Sequence, residues 1–177
     1  DGWLNEFAIE YAGGFLGGKT SFTKFTADNR LYRQIRGVVF AGALRLGYAQ
    51  GLRSNRKRSI ASFERFRAGG STTVRGYGER SLGPVDESGN HRGDVMLILN
   101  TELRFPIYKR VGGVLFLDIG NVWNDLSEIK NASPLLHSSV GIGVRVNTPL
   151  GPARIDYGFP LVKGNSPQIY FELGHAF

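Results

Sequence analysis

Along almost the whole chain apolar and polar residues alternate with a period of two, and no long window sustains the 3.6-residue period of a helix. In Asn5 to Ala12 the residues Phe7, Ile9 and Tyr11 share one face, and Glu6, Ala8 and Glu10 the other. From Val38 to Tyr48 a row of Val38, Phe40, Leu44, Leu46 and Tyr48 opposes Ala41, Ala43, Arg45 and Gly47. Val95, Leu97, Leu99, Leu103 and Phe105 likewise oppose Asn100, Glu102 and Arg104, and Leu115, Leu117 and Ile119 oppose Asp118 and Gly120. Val140, Ile142, Val144 and Val146 stand against Gly141, Gly143, Arg145 and Asn147; Ala153 to Phe159 puts Arg154 and Asp156 on one face, and Ile169 to Phe177 follows. Successive side chains of a strand point to opposite faces, so each segment specifies a strand with two different surroundings. A further strand through Thr20 to Asp28 brings the expectation to about eight. Turn signals at Gly13-Gly14, Gly17-Gly18, Gly112-Gly113, Pro149 to Pro152 and Lys163 to Pro167 separate them. No repeat of solenoid length and no low-complexity linker divides residues 1–177, which read as a single domain.

The two faces differ in a way that bears on their solvent. One is long, aliphatic and aromatic; the other mixes glycine and alanine with scattered charges. A lipid-facing outside and a polar lumen account for that pairing, and the fold class expected is an all-β, antiparallel transmembrane barrel. Phe7, Tyr11, Tyr48, Phe105, Tyr108, Trp123, Tyr157 and Phe159 fall near strand ends, where an interfacial girdle belongs. A soluble β-sandwich or barrel is the alternative that alternation alone leaves open. No run approaches the 18 to 20 apolar residues of a spanning helix; the nearest, Gly37 to Ala49, is interrupted by Arg45. The chain begins at Asp1 and carries no signal peptide, so a processed chain or an excised piece is expected.

Composition removes several chemistries. Cysteine is absent, which excludes disulfide scaffolds, thiolate catalysis and cysteine zinc sites, and leaves the scattered His91, His137 and His175. The net charge of +7 is densest at Arg53 to Arg58, a run without the interleaved aromatic rings of single-strand nucleic-acid binders. A solvated loop is the simpler reading, and no nucleic-acid partner is expected. The glycine-rich stretch from Phe66 to Pro84 lacks a following GK[ST] and the third glycine of a dinucleotide fingerprint, so no nucleotide cofactor is expected. Ser71 and Ser81 have no GxSxG elbow. Glu102 and Asp118 resemble a glycosidase pair, but the nearby arginines favour a structural ion network, and no catalytic or metal-binding residue is assigned. Asn131 opens a sequon that matters only in a eukaryotic secretory protein.

Four ordered stretches are more specific: FRAGGSTTVRGYGERSLGP (66–84), TELRF with GGVLFLDIGNVW, VGIGVRVNTPLGPARIDYGFPL, and YFELGHAF at the end. They resemble, in order and spacing over residues 60–177, the loop-six segment and the strands that follow it in the BamA/TamA superfamily of outer-membrane assembly and translocation barrels. Residues 1–59 match in strand pattern only. The resemblance implies a VRGY tetrad at Val74, Arg75, Gly76 and Tyr77, loop glycines at Gly69, Gly70 and Gly78, and a C-terminal insertion signal at Phe171, Leu173, Gly174 and Phe177. It implies a sixteen-stranded barrel in which five strands follow this loop. Three strands before a loop of about 50–93 and five after it, the last at 168–177, correspond to the final eight, without the first half-barrel and without POTRA domains.

The resemblance also implies that Arg75 points into the barrel and meets Glu102 and Asp118. A hairpin centred near Arg110 would set those carboxylates about opposite each other on the polar face, where like charges repel. A planar, permanently charged guanidinium would relieve that repulsion. Arg104 is a competing cation, and a solvated loop arginine is the simpler role for Arg75. An eight-stranded barrel is filled by its own side chains, so a loop packed inside calls for more strands. A missing half-barrel or a second copy pairing near residues 3 to 12, hence a homodimer, would supply them. The implied function is insertion and folding, or translocation, of client outer-membrane proteins through a lateral seam, without enzymatic chemistry. The implied surroundings are the lipid bilayer and lipopolysaccharide of a Gram-negative outer membrane, ahead of an organellar one. A passive pore or two-partner-secretion channel, or the anchor barrel of a larger patatin-linked protein, is the alternative.

Overall fold

The computed structural model describes residues 1–13, 17, 20–52, 60–130, 135–149 and 151–174. Eight strands follow one another: β1 (Gly2–Ala12), β2 (Phe22–Ile35), β3 (Val38–Gly51), β4 (Val95–Tyr108), β5 (Val111–Trp123), β6 (His137–Thr148), β7 (Gly151–Pro160) and β8 (Gln168–Leu173). They form one antiparallel sheet in sequence order, three strands before the long connection and five after it. Among the described residues β1 pairs only with β2 and β8 only with β7, so the sheet is open. Among the described residues no helix is long and apolar enough to cross a membrane. Arg53 to Arg58, Asn131, His175, Phe177, Gly14 and Gly18 lie outside the described residues.

The strands are joined by short turns at one end of the sheet and long connections at the other. Arg36 and Gly37 (φ 47° and 84°) make the two-residue turn between β2 and β3, whose positive angles match the twist of the flanking strands. A two-residue turn also joins β4 to β5 and two residues separate β6 from β7, whereas residues 52–94 connect β3 to β4. Short turns on one side and long loops on the other are the usual asymmetry of outer-membrane barrels.

Strand register turns the alternation into two surfaces. Ile9, Phe25, Tyr48, Val95 and Trp123 form one outward row across five strands, and Phe7, Ala27, Leu46 and Leu97 form the next. Val140, Ile142 and Val144 of β6 and Ile155 of β7 continue the exposed apolar face. The inward face of β3 to β7 is buried at Ala41, Ala43, Ile98, Asn100, Glu102, Val114, Phe116, Asp118, Ser139, Arg154 and Asp156. What covers it is the loop itself. Phe66, Ala68, Val74, Tyr77 and Leu82 pack with Ala49, Ile98 and Val122 of the wall in one apolar cluster.

Two expectations need correction. The β4–β5 hairpin turns at Lys109–Arg110, and a bulge between Pro106 and Tyr108 absorbs one further residue. Proline has no N–H to donate to the ladder, which suits it to such a site. In consequence Glu102 lies opposite Phe116, Asp118 lies opposite Asn100, and the two carboxylates are diagonal neighbours. The girdle is also less regular than expected. Trp123 is only 4% exposed, and Phe7 lies in the middle of β1 rather than at its end.

Candidate functional site

The connection from β3 to β4 folds back on the inner wall and is fastened by short bridges, Phe66 with Gly93, Ala68 with Leu82, and Val85 with His91. Gly69 and Gly70 open the tight part of the loop, the Gly70 N–H donating to the Val74 carbonyl at 3.2 Å. The Ser71 N–H donates to Glu79 Oε1 at 2.7 Å, and the Gly78 carbonyl accepts from Ser81 Oγ at 2.8 Å. Val74 is fully buried, so the tetrad enters the wall side chain first. At Gly76 the loop touches the wall through its backbone. A Cβ on Gly158 of β7 would stand 2.6 Å from the Gly76 nitrogen, closer than side chains tolerate, so this contact needs glycine there.

Arg75 is 1% exposed and sits at the centre of an ion cluster. Its Nε and Nη2 donate to the two oxygens of Asp118 at 2.7 and 2.9 Å, and Nη1 donates to Glu102 at 2.6 Å and Asp156 at 3.3 Å. The Arg75 backbone N–H adds a bond to Asp118 at 3.1 Å, and the guanidinium lies 3.6 Å from the centre of the Phe116 ring. A planar fork with five N–H donors serves such a set of acceptors, which a lysine point charge would not. Burial disfavours the charge, but the hydrogen bond and charge of Asp118, then Glu102 and Asp156, outweigh it and raise the Arg75 pKa above the ordinary arginine value.

A ring of further residues completes the balance. Arg104 donates to Glu102 at 2.7 Å, Arg145 reaches both Asp156 and Glu102, and Arg154 donates to Asp156 at 3.3 Å and to the Ser71 carbonyl at 3.2 Å. Asn100 donates to Asp118 at 2.7 Å and to the Thr73 carbonyl at 2.6 Å, and it accepts from Arg45, which also donates to the Thr72 carbonyl. Arg104 and Arg75 therefore share Glu102 rather than compete for it. The alternation puts Asp156, Arg154 and Arg145 on polar faces without joining them to Arg75; nothing local reveals that carboxylates 27, 43 and 81 residues away converge on one loop residue. Every carboxylate of the cluster is engaged by arginine, an arrangement suited to holding a segment in place rather than to transferring a proton. Among the described residues no group of three or more His, Asp or Glu is placed to hold a metal ion.

The remaining tetrad residue, Tyr77, is buried; its hydroxyl donates to the Ser138 carbonyl at 2.9 Å, and its ring meets His137 edge-on at 5.2 Å. On β8, Phe171 and Leu173 point outward and are exposed, and the Gly174 N–H donates to the Pro152 carbonyl at 2.7 Å.

The Omp85 superfamily domain matches residues 1–177, so the likeness covers residues 1–59 as well as the more distinctive remainder. The chain belongs to the Omp85 superfamily. Among Omp85 relatives, the outer membrane protein assembly factor BamA of Nitratidesulfovibrio vulgaris is 32% identical over 178 residues, covering 95% of this chain and 22% of that protein. The chloroplastic outer envelope protein 39 of Arabidopsis thaliana is 31% identical over 121 residues, covering 63% of this chain and 30% of that protein. The crystal structure of Haemophilus ducreyi BamA lacking POTRA domains 1–3 aligns with a TM-score of 0.67 at 21% identity, over 85% of this chain and 34% of that one, a likeness of fold. The chain thus spans less than a third of the length of the two curated relatives and about a third of the crystallised one. As an Omp85 barrel segment it resides in an outer membrane, where its outward apolar rows meet lipid.

Proposed function

We propose that this Omp85 segment is the C-terminal half of a barrel that inserts and folds other outer-membrane proteins in a Gram-negative bacterium, using the edge of β8 beside a loop fixed by Arg75. The observation that carries the reading is the burial of Arg75 against carboxylates from β4, β5 and β7. Burying such a cluster has a large desolvation cost, and a chain that retains it holds its loop in one place. Beside that fixed loop, β8 presents an edge whose outer side has no partner among the described residues. An unpaired edge templates an incoming strand by β-augmentation. Relatives named as outer-membrane protein assembly factors support the same reading. The clients are unfolded outer-membrane strands, the surroundings are phospholipid and lipopolysaccharide, and the work needs no bond-making chemistry and no cofactor.

Because the loop occupies the concave face, closure of the barrel calls for further strands pairing at the β1 and β8 edges, from the same polypeptide or from a second copy. The test uses the complete parent protein reconstituted in liposomes, with Arg75→Ala and Asp118→Lys variants. The folded, protease-resistant fraction of an added client barrel is expected to fall in both variants, along with protease protection of the loop. A passive channel would instead conduct ions regardless of client and leave client folding unaffected by its presence. That result would overturn the proposal.

A further inference from the structure

The loop is fastened to the last strand as well as to the wall. The Tyr170 hydroxyl, on the inward face of β8, accepts from the Gly76 N–H at 3.0 Å and donates to the Tyr77 carbonyl at 2.6 Å. Two residues along the same face, Glu172 accepts from Ser71 Oγ at 2.7 Å. Neither end of this clasp is loose. Ser71 is also gripped through its N–H by Glu79 and through its carbonyl by Arg154, which lies directly across the ladder from Glu172. Gly76 and Tyr77 follow Arg75, the residue anchored to β4, β5 and β7. Both Tyr170 bonds go to backbone atoms, so they register where the loop is rather than which side chains it carries.

The strand held in this way has the least other support. β8 is a strand of six residues, Gln168–Leu173, and pairs only with β7 among the described residues, whereas β2 to β5 are each 13 or 14 residues long with a partner on both sides. We propose that Tyr170 and Glu172 are positioning residues through which the seated loop holds β8 in its resting place. To leave the wall, β8 must first release Gly76, Tyr77 and Ser71. The inference rests on the reading of β8 as the strand that receives clients, and it adds what sets that strand's readiness to move.

The test is amide hydrogen exchange on the complete parent protein in lipid bilayers, reading β8 with β6 as internal reference. Tyr170→Phe removes the strand-side hydroxyl and keeps the ring. Ser71→Ala removes the loop-side hydroxyl and leaves the sequence of β8 intact, so a response in β8 reports the clasp rather than a defect of the strand. Each variant is expected to raise exchange in Gln168–Leu173 about fivefold to tenfold, in line with the loss of one or two hydrogen bonds, with β6 unchanged and the Phe66–Leu82 segment still protected. Unchanged exchange in β8, or an equal rise in β6, would overturn the proposal. Client folding measured on the same samples separates the two readings: a looser β8 with unaltered client folding would uphold the clasp and count against β8 as the receiving strand.

Discussion

β1 and β5 are neighbours in kind, 11 and 13 residues of alternating strand in one sheet, and they live in opposite conditions. β1 is exposed along both faces over nearly its whole length; the inward side of β5 is sealed at Val114, Phe116, Asp118 and Val122. What separates them is whether the returning loop lies on the inner wall. Where it does, the wall carries glycine at close approaches and an ion cluster buried as one unit. Where it does not, polar inward residues such as Glu6 stay exposed, and Arg30 pairs with Asp28 in a partly exposed bridge at 2.7 Å. The covered side of the sheet and its loop are thus a single packed object, while the uncovered side is wall alone.

Breaking the cluster tests that contrast most severely. Arg75→Ala leaves three carboxylates facing one another without their central cation, and the loop-docked state is expected to lose about 3–5 kcal/mol. Limited proteolysis of residues 66–82 reads this directly, and β1–β2 should remain as in the parent. Next in size, Gly158→Ala puts a methyl group into the backbone of Gly76, and overpacking of this kind costs about 1–3 kcal/mol. Thermal unfolding should fall while the outer rows keep their exchange pattern. On the uncovered side, Arg30→Ala removes the part-exposed bridge to Asp28 at 2.7 Å and should cost about 0–1 kcal/mol, measurable in denaturant titration. An equal loss from Arg30→Ala and Arg75→Ala would erase the distinction between the two sides.

The smallest expected effect is one of pH. Asp86 accepts from the Asn90 and Ser88 N–H groups, and those bonds, with the charge of Arg92, hold its carboxyl below the usual range. A depressed folded value means that the contribution is present above the ordinary carboxylate pKa and lost as pH falls through the lowered one. Acidification should therefore loosen the 86–90 turn, seen as faster exchange at Asn90.

The strand count, the orientation of each face and the inward placement of Glu102 and Asp118 were legible because they follow from the period-two rule within single strands, whereas a meeting of Arg75 with those carboxylates was implied by the family resemblance alone. The sequence misplaced the β4–β5 register by two positions, since neither the turn at Lys109–Arg110 nor the bulge beside Pro106 leaves a mark on alternation. It also did not connect Asp156 to Arg75 or Tyr170 to the loop. Those contacts span 81 and 94 residues and exist only because the sheet curves back around a loop that is itself aperiodic. Trp123 misled for a related reason: its place at a strand end suggested the membrane interface, but it is buried, and Leu126, Ile129, Leu135 and Leu136 line the same apolar pocket.

The glycine contact between Gly76 and Gly158 carries one more implication. The inward positions of β7 are Pro152, Arg154, Asp156, Gly158 and Pro160, and only one of them lacks a side chain. A loop that shifted by one strand repeat in either direction would run into Asp156 or Pro160. Docking is therefore indexed like a key with a single notch, and partial sliding is not available to it. Gly158 thus fixes the register in which the Gly76 backbone seats against β7.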